Sequence, residues 1–184
     1  MPGATVTLLA DRRTEGALQV ARTLTARLRL TAGGRPVVLV ADPALRTRAD
    51  RLPRDPGEVL APASVPALLG RIPSNGDAVL AFVGPVRQQV IAALDRSSLV
   101  VLLTSASVPS LRAAQRTLRL LSDVGYLVGK VEVAIVVDAG TAAVDAGAVR
   151  DALRRDVGFV LARSMSHDPD AAAYDALIRR IRGA

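Results

Sequence analysis

The side chains that could do chemistry in this chain are few and of limited kinds. It has no cysteine, which excludes a thiolate nucleophile, a disulfide framework and every cysteine-based zinc or iron–sulfur site. The single histidine, His167, precedes Asp168-Pro169-Asp170. A histidine beside two carboxylates could bind a divalent metal or form an acid–base pair. All three groups crowd into one short loop, however, and Asp168-Pro169 reads more simply as a helix start. Thr104, Ser105 and Ser107 close a strand-like apolar run, at the end where α/β proteins hold ligands. No second histidine can activate them and none sits on a Gly-x-Ser-x-Gly elbow, so Ser-His-Asp hydrolysis is not expected. Asp11, Asp42 and Asp138 also fall at strand ends and could suit magnesium, but the favoured reading needs no metal and no cofactor. Gly125-Tyr126-Leu127-Val128-Gly129-Lys130 imitates a phosphate loop. It has three residues between its glycines instead of four, is followed by Val131, and leads into a strand where the motif must open a helix.

Charge is the strongest compositional feature. The formal net charge is +7, and Lys130 is the only lysine among 24 cationic residues. An arginine surface of this kind suits nucleic acid, acidic lipid or an acidic protein, although arginine and alanine bias also accompanies GC-rich coding. The aromatics are Phe82, Tyr126, Phe159 and Tyr174, too few to stack a run of unpaired bases.

The elements that must position these groups follow from hydropathy. Apolar runs of strand length are expected at Thr5–Ala10, Val37–Ala41, Ala78–Val83, Leu99–Thr104, Val131–Val137 and Val157–Ala162. They alternate with segments of helical period, the pattern of a mostly parallel sheet covered on both faces. Helices are expected at Glu15–Leu30, stopped by Gly33-Gly34, at Pro85–Asp95, at Pro109–Val124 and at Ala171–Arg182. Residues 42–66 hold five prolines with Arg46, Arg48, Arg51 and Arg54, and read as a long surface loop with at most a short helix after it, near Val65–Arg71. In the last helix Tyr174, Leu177, Ile178 and Ile181 share one side, which suits docking on a sheet; the alternative is a helix lying on a membrane surface. No apolar run approaches the ~20 residues that span a bilayer. With no signal-like segment at the amino terminus, a single cytoplasmic domain over residues 1–184 is expected.

Residues 77–126 resemble the MinD/ParA-type ATPases, most closely the TadZ/CpaE branch. Leu94-Asp95-Arg96-Ser97-Ser98, Val101-Leu102-Leu103-Thr104 and Ser110-Leu111-Arg112 follow that family's order of a Leu-Asp turn, a strand ending in threonine and a Ser-Leu-Arg helix start. Val37–Asp42, Val131–Asp138 and Ser166-His167-Asp168-Pro169 extend the likeness over nearly the whole chain. The resemblance implies a three-layer α/β sandwich with a mostly parallel, P-loop NTPase-like sheet.

The departures from that family matter more. Its phosphate loop follows the first strand with closely spaced glycines and a Gly-Lys-Ser/Thr ending, whose N–H groups and lysine hold a triphosphate. Here the same stretch reads Asp11-Arg12-Arg13-Thr14-Glu15-Gly16, with one glycine, no lysine and two carboxylates. The family's magnesium-side aspartate falls at or next to Phe82. The resemblance therefore implies a pseudo-ATPase: a non-catalytic scaffold in protein positioning or assembly, of pilus, secretion or cell-division type. It would act at a pole or membrane periphery, as a homodimer or a heterodimer with an ATPase paralogue. The interaction candidates are Arg12, Arg13 and Thr14, with Arg46, Arg48, Arg51 and Arg54. The alternatives are a non-specific DNA-associated protein, whose binding would fall steeply with salt, and a weak residual nucleotide binder or ATPase.

Overall fold

The computed structural model describes residues 3–11, 14, 16–45, 58–60, 70, 72, 75–84, 86–126, 129–138, 144–163 and 171–183. Seven strands form one sheet: β1 (Thr5–Ala10), β2 (Val37–Ala41), β3 (Glu58–Leu60), β4 (Asp77–Val83), β5 (Leu99–Thr104), β6 (Val131–Asp138) and β7 (Phe159–Arg163). Their spatial order is β3-β2-β4-β1-β5-β6-β7, and every pairing is parallel. Among the described residues five helices accompany them: α1 (Ala17–Thr31), α2 (Gln88–Arg96), α3 (Val108–Asp123), α4 (Ala146–Leu153) and α5 (Ala171–Arg182).

The strands are apolar throughout because both faces of the sheet are covered. Alternate residues serve opposite layers. Val6, Leu8 and Ala10 of β1 join Leu18, Leu24 and Leu28 of α1 and Tyr174, Leu177 and Ile181 of α5 in one core. Leu9 faces the other way, into the core that holds Val90 and Leu94 of α2, Leu118 and Leu121 of α3, and Val149 and Leu153 of α4. The expected three-layer sandwich is thus formed, with α1 and α5 on one side and α2, α3 and α4 on the other. Thr7, a buried hydroxyl that β1 turns into the second layer, is satisfied there: its Oγ1 lies 2.6 Å from Ser97 Oγ, which itself donates to Ala93 O.

Three elements differ from the sequence expectation. Glu58–Leu60 forms an edge strand paired with Leu39–Ala41, inside the stretch expected to be loop; a three-residue strand is too short to show a period. Pro43–Leu45 forms a single 3-10 turn in the same stretch, and all but Gly70 of the expected Val65–Arg71 helix lies outside the described residues. Helix α4 was not expected, because its apolar contribution to the core reduces to Val149 and Leu153. Its end is unusual: Arg154 has φ 51°, the one non-glycine residue of positive φ among the described residues, whereas six glycines occupy the other such positions.

Helix α5 is docked, not displayed. Its apolar side is buried against β7 and α1, which removes the face that membrane adsorption would require. Polar contacts fix its register: Arg27 to Asp175 at 3.2 Å, Arg180 Nε to Glu132 Oε1 at 3.0 Å, and the Tyr174 hydroxyl donating to Ala162 O at 3.2 Å. Tyr174→Ala should cost about 3–5 kcal/mol in a denaturant titration, by analogy with other large aromatic deletions. Tyr174→Phe, which loses only the bond to Ala162, should cost about 1 kcal/mol.

Candidate functional site

Strand order points to one place on the molecule. From β1 the chain runs through α1 to β2 on one side, with β4 filling the gap between them, and from β4 it crosses to β5 on the other side of β1. The crevice beyond the carboxyl end of β1 is therefore the topological switch point, where open α/β sheets bind ligands. Asp11 and Thr14 from the turn after β1 meet Ser110 at the start of α3, beside Thr104 and Ser105 at the end of β5.

Local sequence explains how α3 begins there. Ser107 is its N-cap, with its hydroxyl 3.4 Å from the Ser110 amide, and Pro109 lies in the first turn, where a missing N–H costs nothing. Ser110 is consequently carried inward, and it is fully buried. Its Oγ donates to Asp11 Oδ2 at 2.9 Å, accepts from the Ser105 amide at 3.2 Å, and lies 3.1 Å from Thr104 Oγ1 and 3.3 Å from Thr14 Oγ1. One consistent assignment of protons uses every group: Ser110 gives its proton to Asp11, Thr104 gives to Ser110, and Thr14 gives to Leu103 O at 3.4 Å. Thr14 and Thr104 are buried as well. Three hydroxyls and a carboxylate supplied by the chain itself thus cluster at the crevice.

The start of α1 is covered from β7. Gly16 is the N-cap residue at φ 79°, and a Cβ added there would stand 2.5 Å from Arg163 Cδ. The Arg163 stem from β7 therefore lies against the first turn of α1, and only glycine fits beneath it. Arg163 is in turn held by an ion pair from its Nε to Asp138 Oδ1. The guanidinium bond holds the Asp138 carboxyl below its ordinary pKa of 3.8.

The other sequence candidates separate. Asp11, Asp42 and Asp138 do not come together: Asp11 accepts from Ser110, Asp42 Oδ1 caps the Ala44 amide at 2.9 Å, and Asp138 faces Arg163. Among the described residues no three histidine or acidic side chains are grouped as metal ligands. Phe82 is buried in the second core, opposite Leu9 in the sheet register. Gly125 ends the turn after α3, and Gly129-Lys130 leads directly into β6, so that segment opens a strand and not a helix. Arg12, Arg13, Glu15, Arg46, Arg48, Arg51, Arg54, His167, Asp168 and Asp170 lie outside the described residues. Sequence reasoning missed the central position of Ser110, although the Ser107-x-x-Ser110 spacing at a helix start hints at it. It also missed Arg163, for which no local pattern exists.

Comparison with solved structures fits this frame. MinD cell division protein of Aquifex aeolicus superposes with a TM-score of 0.69 over 99% of this chain and 98% of its own, at 12% identity. A ParA family ATPase from Chlorobium tepidum TLS gives 0.64 over 98% and 88%, at 14% identity. The chain has a MinD/ParA-like fold. The MinC:MinD cell division protein complex of Aquifex aeolicus also matches, with a TM-score of 0.63 over 98% of this chain and 96% of that one, at 15% identity. No protein-family model matches the chain, and neither does any curated protein sequence. Among the described residues no helix is long and apolar enough to cross a membrane.

Two outcomes test the geometry. Ser110→Ala removes the hydroxyl that bonds Asp11 Oδ2 and the Ser105 amide, and should cost about 1–3 kcal/mol of stability in urea. The Asp138 pKa is depressed on folding, so the contribution of its pair with Arg163 is present above pH 3.8 and is lost as pH falls through the folded-state value. The difference in unfolding midpoint between the wild type and Asp138→Asn should accordingly shrink as the solution is acidified below that point.

Proposed function

We propose that this chain is a non-catalytic MinD/ParA-like scaffold, related to the TadZ/CpaE branch, which serves protein positioning or assembly by dimerising and binding partners. The observation that carries this reading is the hydroxyl–carboxylate cluster at the crevice after β1. A phosphate loop needs backbone N–H groups turned toward an anion and a cation to neutralise it. Here Asp11 brings a carboxylate to that place, and its Oδ2 accepts the Ser110 hydroxyl. The Gly16 turn, where an anion would meet the start of α1, is packed against Arg163.

Seating a triphosphate would require breaking the Ser110–Asp11 bond, displacing Arg163 and bringing γ-phosphate charge toward a carboxylate, which Coulomb repulsion opposes. Partner binding has no such obstacle. One neighbouring solved structure is a MinC:MinD complex, and the arginines at 12 and 13 and in the 46–54 segment are the residues on which we place dimer contacts. The switch that nucleotide turnover provides in an ATPase would then be absent or supplied by a competent paralogue.

Calorimetry with ATP and magnesium, together with a phosphate-release assay, tests the proposal. Silence at millimolar ATP and no release above a protein-free control are expected. Saturable binding with phosphate release that is lost in Arg12→Ala or Arg13→Ala would replace the scaffold with a divergent enzyme.

A further inference from the structure

A second concave feature lies away from the switch point, on the opposite flank of the second helical layer. Between α3 and α4 runs a groove of about 440 Å³. Its floor is Leu118 and Leu153, both with only an edge exposed. Its rim is Arg119, Arg154 and Arg155. Among the described residues that line it, none carries a carboxylate.

Three features make the groove a built one. Gln115 Nε2 donates to Ala152 O, which ties the two helices together across it. Arg155 Nη2 donates to Val131 O at 2.6 Å, so this side chain is held at the base of the rim. Arg154 occupies a left-handed position that this chain otherwise gives to glycine, and a helix end of this kind favours glycine strongly. A cation is retained at a position whose backbone disfavours it, at the meeting point of this groove and a neighbouring cleft of about 430 Å³ bounded by Arg150, Asp151 and Asp156. Residues held in such conformations concentrate at functional surfaces.

Charge extends the feature along α3. Arg112, Arg116 and Arg119 recur at helical spacing and are all exposed, and no acidic residue occurs in the helix before Asp123. Residues four and seven apart share a helix face, so these guanidinium groups form a row that leads into the groove.

We propose that the α3–α4 groove docks an acidic segment of a partner protein, with carboxylates on Arg119, Arg154 and Arg155 and an apolar side chain on the Leu118–Leu153 floor. This rests on the scaffold reading for its biological sense, but not for its geometry. Arginine forks match carboxylates in two parallel hydrogen bonds, and the apolar floor offers contacts that a phosphate backbone would not use. The cationic rim calls for a carboxylate-rich occupant, which an acidic partner supplies more readily than a chain with 24 Lys and Arg against 17 Asp and Glu. A nucleic acid duplex would engage the exposed α3 row without needing the groove.

The test is fluorescence anisotropy with three labelled probes: a twelve-residue peptide alternating glutamate and leucine, a twelve-residue polyglutamate, and a random DNA duplex. Arg119→Glu and Arg154→Gly are the variants, and the second removes the cation while relaxing its backbone, so its thermal midpoint should hold or rise. The expected result is binding of the glutamate–leucine peptide in preference to polyglutamate, weakened about tenfold or more in each variant, as loss of a close charge pair produces. Three results would overturn the proposal: no binding of the mixed peptide, peptide binding indifferent to both variants, or preference for the duplex with both variants weakening it. Phosphate release from ATP would sink the scaffold reading alone, whereas these probes judge the groove whether or not that reading survives.

Discussion

The hydrogen bond from Ser110 to Asp11 joins the turn after the central strand to the start of α3, and the chemistry available at the switch point depends on it. Both partners come from segments that a parallel sheet must bring together, because β1 and β5 are neighbours and both end at the same edge. A buried hydroxyl and a carboxylate side by side would each be costly if left unpaired. Together with Thr14 and Thr104 they form one hydrogen-bonded cluster at the switch point. Arg163 lies across Gly16 from the β7 side.

The fold is separable from the chemistry of this site. The chain superposes on MinD and on a ParA family ATPase over nearly its whole length despite identities of 12% and 14%. The cores are built from alternating strand residues and from the inner faces of all five described helices. The turn after β1 can therefore change its chemistry while the scaffold persists, and function has to be argued from the site.

Much of this was legible in the amino-acid order. The buried strands announced themselves as unbroken apolar runs, and α5 was delimited at Ala171–Arg182 with its buried side correctly given by Tyr174, Leu177, Ile178 and Ile181. The missing Gly-Lys-Ser/Thr ending was equally plain. Elements carrying little hydrophobic pattern were not legible: β3 is three residues long, and α4 buries only Val149 and Leu153. Nor were the contacts that depend on strand order, since Ser110 lies 99 residues from Asp11 and Arg163 is farther still from Gly16. Arginine composition suggested an anionic partner, but only the folded arrangement shows Arg119, Arg154 and Arg155 around one groove while Arg27, Arg29 and Arg180 serve internal bonds.

The most direct examination of the central claim is an amide NMR titration with ATP and magnesium, followed at Thr14, Gly16, Ser105 and Ser110. With the cluster of hydroxyls and carboxylate at the crevice, these resonances should stay in place up to millimolar nucleotide. Saturable shifts at all four positions, accompanied by opening of the Ser110–Asp11 bond, would show that the cluster is a latch over a working nucleotide site and would contradict the account.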